Sequence, residues 1–192
     1  MDDNLLFASH RPSRADAVKN RVLLIETAQR LFAENGVDAV TMSDVAEAAG
    51  VGKGTLYRHF PSKLDLCHVL IDTDQRDLQN RTLMHLRSGG GAQENLEWFL
   101  GEVVAFLSRN QALAFAESAQ SILLDHPAHQ WWRQTIRGLL ARLNPQLDVD
   151  YAADVFFVML DPRTIHYQTT RRGYSFDQIA ASLKALLHQF IR

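Results

Sequence analysis

Residues 25–66 of this 192-residue chain read IETAQRLFAENGVDAVTMSDVAEAAGVGKGTLYRHFPSKLDL, and this stretch decides the fold. Its apolar residues recur at helical spacing in three segments that glycines separate. The second segment runs from Thr41 to Gly50, and the third runs from about Gly54 to Phe60. Two short helices that are joined by a tight turn and preceded by an amphipathic helix are typical of a helix-turn-helix.

Two helix starts are encoded by the same local pattern. Thr41 with Asp44, and Ser62 with Asp65, each fit the capping box, in which two side chains bond each other's backbone N–H groups. The pattern therefore predicts that a short helix opens at Thr41. It also predicts that a long helix begins at Ser62 and extends towards Arg87.

Helical periodicity continues beyond residue 87. Three glycines after Ser88 predict a linker, because each glycine costs about 1 kcal/mol in a helix interior. A break is expected at Asp161-Pro162. The run 155–160 also suits a buried strand, but no partner strand is visible and helix is preferred. The further predicted helices are 96–107, 112–124, 127–144, 151–172 and 175–190.

Composition excludes several classes of protein. Twenty Lys and Arg against 22 Asp and Glu leave a net charge of −2, which excludes a globally basic partner of nucleic acid. Cys67 is the only cysteine, so intrachain disulfides and cysteine-based zinc fingers are excluded. No apolar run approaches the roughly 20 residues that span a bilayer, and the acidic start does not resemble a signal peptide. We expect a soluble, cytoplasmic protein without a membrane partner.

The third segment has the chemistry of a DNA-reading helix. Together with its flanks, over residues 51–62, it carries two cations, Lys53 and Arg58, and no acid, and Lys63 follows just beyond. Gly54 lets the backbone approach a phosphate or a base edge closely, and a helix fits the major groove. Residues 1–70 hold eight Lys and Arg against nine Asp and Glu, a net charge of −1. DNA binding must therefore come from placing cations on one face, which favours a sequence-specific dimer with modest non-specific affinity.

The same residues resemble the DNA-binding domain of TetR-family transcriptional regulators, above all through the block GVGKGTLYRHFPSK at residues 50–63. The resemblance covers about the first third of the chain. It implies an all-α fold with a helix-turn-helix domain at 1–61, including an arm at 1–15, and a ligand-binding and dimerisation domain at 62–192. It also implies a homodimeric repressor, less often an activator, that a small ligand releases from a palindromic operator in double-stranded DNA.

Carried over position by position, the resemblance assigns nine residues to DNA: Thr41, Ser43, Lys53, Gly54, Thr55, Tyr57, Arg58, His59 and Lys63. Lys53, Gly54 and Tyr57 would lie at base edges. The residues at phosphates would be Thr41, Thr55, His59 and Lys63. Ser43 stands where other members place a longer base-reading side chain, and Arg58 would either reach DNA or be solvated. Without the resemblance, the three helices could equally form a packed subdomain with an ordinary charged face.

The second domain presents a pocket hypothesis and a dimer hypothesis. The family implies a cavity, which we expect to hold an apolar or aromatic effector; the alternative for each residue is plain core. The candidate lining residues are Trp98, Phe99, Phe115, Trp131, Phe156 and Met159. The last two helices would form a four-helix bundle with a second copy, the alternative being an intrachain contact. The residues expected near the two-fold axis are Ile179, Leu183, Leu186 and Phe190.

Signals for enzymatic chemistry are weak. The glycines near Lys53 have the wrong spacing for a phosphate loop, and no strand precedes them. Asp125, His126 and His129 suggest a metal site, but Pro127 fits a helix start better. We therefore expect no catalytic residue, metal or cofactor. The alternatives to a transcriptional regulator are a helical enzyme that uses the aromatic cavity and a dimerising adaptor with a vestigial DNA module.

Overall fold

The computed structural model of this chain describes residues 14–111, 113–114 and 127–190. Within those ranges every regular element is an α-helix, so the all-α prediction is confirmed, and residues 155–159 are helical. The predicted helix at 112–124 lies almost wholly outside the described residues. The described helices are α1 (Arg14–Asn35), α2 (Met42–Ala48), α3 (Lys53–His59), α4 (Lys63–Arg87), α5 (Ala92–Arg109), α6 (Pro127–Leu143), α7 (Val149–Met159), α8 (Pro162–Thr170) and α9 (Phe176–Phe190).

Both predicted capping boxes are present. The Thr41 backbone N–H donates to Asp44 Oδ2 at 2.7 Å, and the Asp44 N–H donates to Thr41 Oγ1 at 3.2 Å. Ser62 and Asp65 make the same pair of bonds at 2.9 and 3.2 Å. Each box satisfies backbone N–H groups that a helix start leaves without an intrahelical partner. The helices α2 and α4 therefore begin where the sequence predicts.

The turn between α2 and α3 is a Schellman motif. The Gly50 N–H donates to the Glu47 carbonyl at 3.0 Å, and the Val51 N–H donates to the Ala46 carbonyl at 2.9 Å. Gly50 has a φ of +64°, the left-handed conformation that this motif requires and that glycine adopts without steric cost. The motif reverses the chain within a few residues and sets the start of α3.

The N-terminal unit ends at Leu70, and a second unit begins at Ile71, inside α4. The first unit buries apolar side chains from all of its helices, and α1 packs against both α2 and α3. Its most buried side chains, all at most 1% exposed, include Leu24, Ala28, Val45, Leu56, Phe60 and Leu66. Because Leu66 lies in the first turn of α4, that turn belongs to the core of this unit.

The second unit is built around α5, which packs against α6 and α9. The apolar stripe predicted on α5 is buried, at most 1% exposed: Leu96, Phe99, Leu100, Val103 and Leu107. Helix α6 is also tied to α7 by charge. Arg133 pairs with Asp154, and Arg137 Nε lies 2.8 Å from Asp150 Oδ1. These exposed or half-exposed pairs favour one register of the two helices more than they add to stability.

The chain breaks at Asp161-Pro162, as predicted. The Asp161 carboxylate accepts the Arg163 backbone N–H at 2.6 Å, which caps α8, and Pro162 occupies its first turn. Ser175 and Gln178 then cap α9 through reciprocal bonds of 2.8 and 3.1 Å. Among the described helices, none has the length and apolar character needed to cross a membrane.

Candidate nucleic-acid interface

Helix α3 is divided between a core side and an open side. Leu56 is fully buried and Phe60, which follows the helix, is 1% exposed, whereas Tyr57 is 48% exposed. The other residues of α3 that the sequence assigned to DNA follow the same division. Lys53, Gly54 and Arg58 are exposed, and Thr55 and His59 are half-buried. The base-reading candidates therefore share a face that is open to an incoming duplex.

Helix α1 braces the end of α3. Arg21 Nη1 lies 3.5 Å from the His59 carbonyl oxygen, and its guanidinium carbon lies 4.6 Å from the centroid of the Phe60 ring. A cation over an aromatic face and a charge-assisted hydrogen bond both restrain the neighbouring backbone. Arg21 was not among the residues predicted from the sequence, because nothing in its local pattern indicates which helix it faces.

Charged groups from three helix starts lie near one another. The pKa of Asp44 is lowered, first by the hydrogen bond from the Thr41 backbone and then by the bond from the Thr41 hydroxyl. Smaller contributions come from the positive charges of Lys53 and Lys63, at the starts of α3 and α4. The charges of Lys53 and Lys63 thus act on the same carboxylate that caps α2 through Thr41.

The remaining DNA candidates have internal contacts. Arg58 Nη2 donates to Thr55 Oγ1 at 3.1 Å along α3. The Lys63 ammonium lies 5.8 Å from the centroid of the Phe32 ring. Ser43 lies half-buried on α2. Arg58 and Lys63 make these contacts at the exposed or half-exposed surface. Both side chains are long enough to exchange them for contacts with phosphates.

The structure brings only some of the predicted pocket residues together. Phe99 and Phe156 are fully buried, and Trp131 packs edge-on against Phe99 with ring centroids 5.5 Å apart. Trp98 instead stacks on His85 of α4 at 3.9 Å. Phe115 lies outside the described residues, so the lining as a whole stays a prediction.

Met159 lines a different space, a cavity of about 100 Å³ at the start of α9. Three of the predicted dimer residues share it. Ile179 and Leu183 are 3% and 5% exposed within the single chain, and Leu186 is half-buried. Phe190 is also half-buried and contacts Phe156 at 5.5 Å. The portion of this predicted surface that remains open to a second copy is therefore Leu186 and Phe190.

The N-terminal unit matches a known family. Residues 24–70 fit the profile of the bacterial regulatory proteins of the tetR family, and this range contains α2, α3 and the turn between them. By sequence, the helix-turn-helix segment of this chain is similar to that of the tetR family. The HTH-type transcriptional regulator SAB2452 of Staphylococcus aureus (strain bovine RF122 / ET3-1) is 49% identical over 65 residues. Those residues are 34% of this chain and 34% of the relative, so the match spans about a third of the relative's length.

Solved structures extend the likeness to the fold of the second unit. A putative transcriptional regulator from Saccharomonospora viridis, in complex with choline, has a TM-score of 0.71 at 23% identity, covering 89% of this chain and 96% of that one. The regulator FadR from Bacillus subtilis, in complex with stearoyl-CoA, has a TM-score of 0.63 at 21% identity, covering 89% and 99%. These solved structures share the fold of this chain, and the relatives that match its N-terminal part are HTH-type transcriptional regulators.

The metal hypothesis finds no support in the part of the chain that the structure describes. No group of three or more His, Cys, Asp or Glu side chains there is placed to hold an ion. Asp125 and His126 lie outside that part. Cys67 is buried at 5% exposure, as expected of a core thiol.

Proposed function

We propose that the protein is a transcriptional regulator that binds a palindromic operator as a homodimer and is released from it by a small molecule. The observation that carries the proposal is the open face of α3. Tyr57 and Lys53 stand out from a helix whose opposite side is held in the core by Leu56. The match of this unit to TetR-family domains supports the same assignment.

The charge balance favours a dimer. With a net charge of −1 over residues 1–70, one unit has little general attraction for DNA, so a few aligned contacts must supply the affinity. Two copies double those contacts on half-sites about 34 Å apart. Half-exposed Leu186 and Phe190, with Val158 (47% exposed) and Tyr167 (54%), provide apolar surface on α7–α9 for a second copy.

The proposed response to an effector depends on α4. This helix begins with the Ser62 cap in the DNA-binding unit and continues to Arg87 in the second unit. An effector that shifts its second half would change the spacing of two α3 helices on one duplex. Such a ligand releases DNA only if it binds the non-DNA state more tightly. Neighbours of this fold hold choline or stearoyl-CoA, which supports a ligand site in the second unit.

The test begins with selection of bound fragments from a genomic DNA library, followed by fluorescence anisotropy on the selected site. Lys63→Ala should weaken binding to every sequence and reduce the slope of log Kd against log salt by about 1. The exposed Arg142 of α6, outside the proposed interface, provides a control that removes the same charge. Arg142→Ala should leave both quantities unchanged.

Two results would overturn the proposal. One is a purified chain that enriches no fragment even at low salt. The other is a strictly monomeric chain at the concentrations where the selected site is bound. An equal loss of affinity for Arg142→Ala and Lys63→Ala would mean that net charge, and not the proposed face, holds the DNA.

A further inference from the structure

A small cavity lies among α7, α8 and α9, apart from the predicted aromatic pocket. Its volume is about 100 Å³, and among the described candidates for the aromatic pocket only Met159 lines it. The apolar part of its wall comes from the end of α7 and from one side of α9. The residues that form this part are Met159, Ile179, Leu183 and Leu186.

The turn between α8 and α9 forms another part of the wall through Tyr174. The Tyr174 backbone N–H donates to the Gln168 carbonyl at 3.0 Å. Arg172 Nη2 donates to the Tyr174 hydroxyl at 3.2 Å, and its guanidinium carbon lies 5.3 Å from the centroid of the Tyr174 ring. These contacts hold the turn and its ring, so this side of the cavity is formed without a ligand.

The cavity also contains an acceptor that lacks a donor. Gln168 of α8 lines it, and Gln168 Oε1 is buried with no hydrogen-bond partner among the described residues. An amide oxygen can only accept, and a buried acceptor that loses its bonds to water without replacement destabilises the protein. The site therefore favours a ligand that donates one hydrogen bond and is otherwise apolar.

The volume limits the size of that ligand. An apolar cavity of about 150 Å³ holds one benzene molecule, so about 100 Å³ corresponds to about four or five non-hydrogen atoms. A carboxylate of that size would bring a buried charge next to an oxygen acceptor, which is unfavourable. A ketone of the same size would leave Gln168 Oε1 without a donor. A short alcohol satisfies both conditions.

We propose that this cavity is a binding site for a short aliphatic alcohol. The hydroxyl group donates to Gln168 Oε1, and the alkyl group packs against Met159, Ile179 and Leu183. The site differs from the predicted aromatic pocket, and its occupancy does not require DNA. Because Leu186 lines the cavity and is also open to a second copy, the bound alcohol lies beside the surface that we propose for the dimer.

The test uses the full chain, labelled with ¹³C at the methionine methyl groups, and follows a titration by NMR. The probes are isopropanol and tert-butanol, with acetone as the matched molecule without a donor and acetate as the charged one. We expect a saturable shift of the Met159 signal with a roughly millimolar Kd for the alcohols, because so few atoms make few contacts. Acetone and acetate should bind at least about tenfold more weakly.

Two other methionines are internal controls in the same spectrum. Met42 lies in the N-terminal unit at 8% exposure, and Met84 lies on α4 at 64% exposure. Neither lines the cavity, so neither signal should follow the saturation of Met159. Met159→Leu assigns the Met159 signal.

Two variants test the anchor and the space separately. Gln168→Met keeps a side chain of similar length but removes the acceptor, and it should raise the Kd for isopropanol at least about tenfold towards that of acetone. Leu186→Trp should fill the cavity and abolish binding. The matched controls are Gln146→Met in the exposed loop after α6 and Leu83→Trp on exposed α4 surface, and both should retain the parental Kd. Thermal denaturation verifies that each variant is folded.

The proposal is overturned if the Met159 signal does not saturate, or if it shifts only in parallel with Met42 and Met84, as in a general solvent effect. Equal Kd values for isopropanol and acetone overturn it too, as does parental affinity in Gln168→Met. A side chain of a second copy is the rival occupant. In that case the alcohol would be displaced as the protein concentration rises through the monomer–dimer range, and this result would also reject the site.

Discussion

Two adjacent residues of α3 should separate folding from DNA binding. Leu56 is fully buried and Tyr57 is 48% exposed. Truncating a buried leucine to alanine removes its burial and leaves a cavity, at about 2–5 kcal/mol, and full burial places Leu56→Ala in the upper part of that range. Tyr57→Ala removes a ring that already has half of its surface in water, so its cost to folding should stay below about 1 kcal/mol.

For DNA binding, Tyr57 should matter more than Leu56. If Tyr57 lies at a base edge, Tyr57→Ala should cost about 1–3 kcal/mol at the specific site, which is about 5- to 150-fold in Kd. Urea denaturation followed by circular dichroism measures the first quantity, and fluorescence anisotropy at a fixed salt concentration measures the second. Tyr57→Phe, which retains the ring, should recover the part of the affinity that stacking supplies and lose the part due to the hydroxyl.

The two faces of α3 would be wrongly assigned if Tyr57→Ala destabilised the fold as much as Leu56→Ala does. The same conclusion follows if Tyr57→Ala bound the selected operator with the affinity of the parent protein. Anisotropy for Leu56→Ala must be measured well below its denaturation midpoint, so that loss of folded protein is not counted as loss of affinity.

Three smaller predictions concern the support of α3. Arg21→Ala should destabilise the N-terminal unit by about 0.5–1 kcal/mol in urea denaturation, since it removes a cation above the Phe60 ring; Arg21→Lys should recover part of the loss. The lowered pKa of Asp44 contributes stability above its unfolded pKa that is lost as pH falls through the folded value. Thr41→Ala removes the hydroxyl that helps lower it, so acid unfolding, followed by circular dichroism, should begin at a higher pH. Gly50→Ala should cost about 1–2 kcal/mol from backbone strain alone, because φ is +64° and no atom lies near the added Cβ; an unchanged denaturation midpoint would exclude that conformation.

Local chemistry accounts for the parts of the fold that were predictable. The capping pairs Thr41–Asp44 and Ser62–Asp65 span four residues each, so their bonds depend on little beyond the adjacent sequence. The same holds for the break at Asp161-Pro162, where proline lacks the N–H that would continue the helix. The open face of α3 followed as well, because helical periodicity places Leu56 and Tyr57 on different sides.

The second unit was less accessible to prediction. An aromatic residue off the main helical stripe could line a pocket or pack against another helix, and sequence alone does not distinguish the two. Trp98 proved to stack on His85, a contact across two helices, and Ile179 proved to be covered within its own chain. Gln75, which is only 5% exposed, has an ordinary polar position in the sequence. Its burial depends on which side of α4 packs against the other helices.

The amino-acid order alone thus determined where α2 and α4 begin and which side of α3 faces outward. Both follow from interactions within a few residues and from the 3.6-residue repeat. Only the tertiary structure decided that Arg21 braces α3 from another helix, and that the buried Gln75 amide and Trp132 indole N–H have no hydrogen-bond partner among the described residues. Such pairings join residues that are tens of positions apart. They depend on how helices pack, which no local pattern specifies.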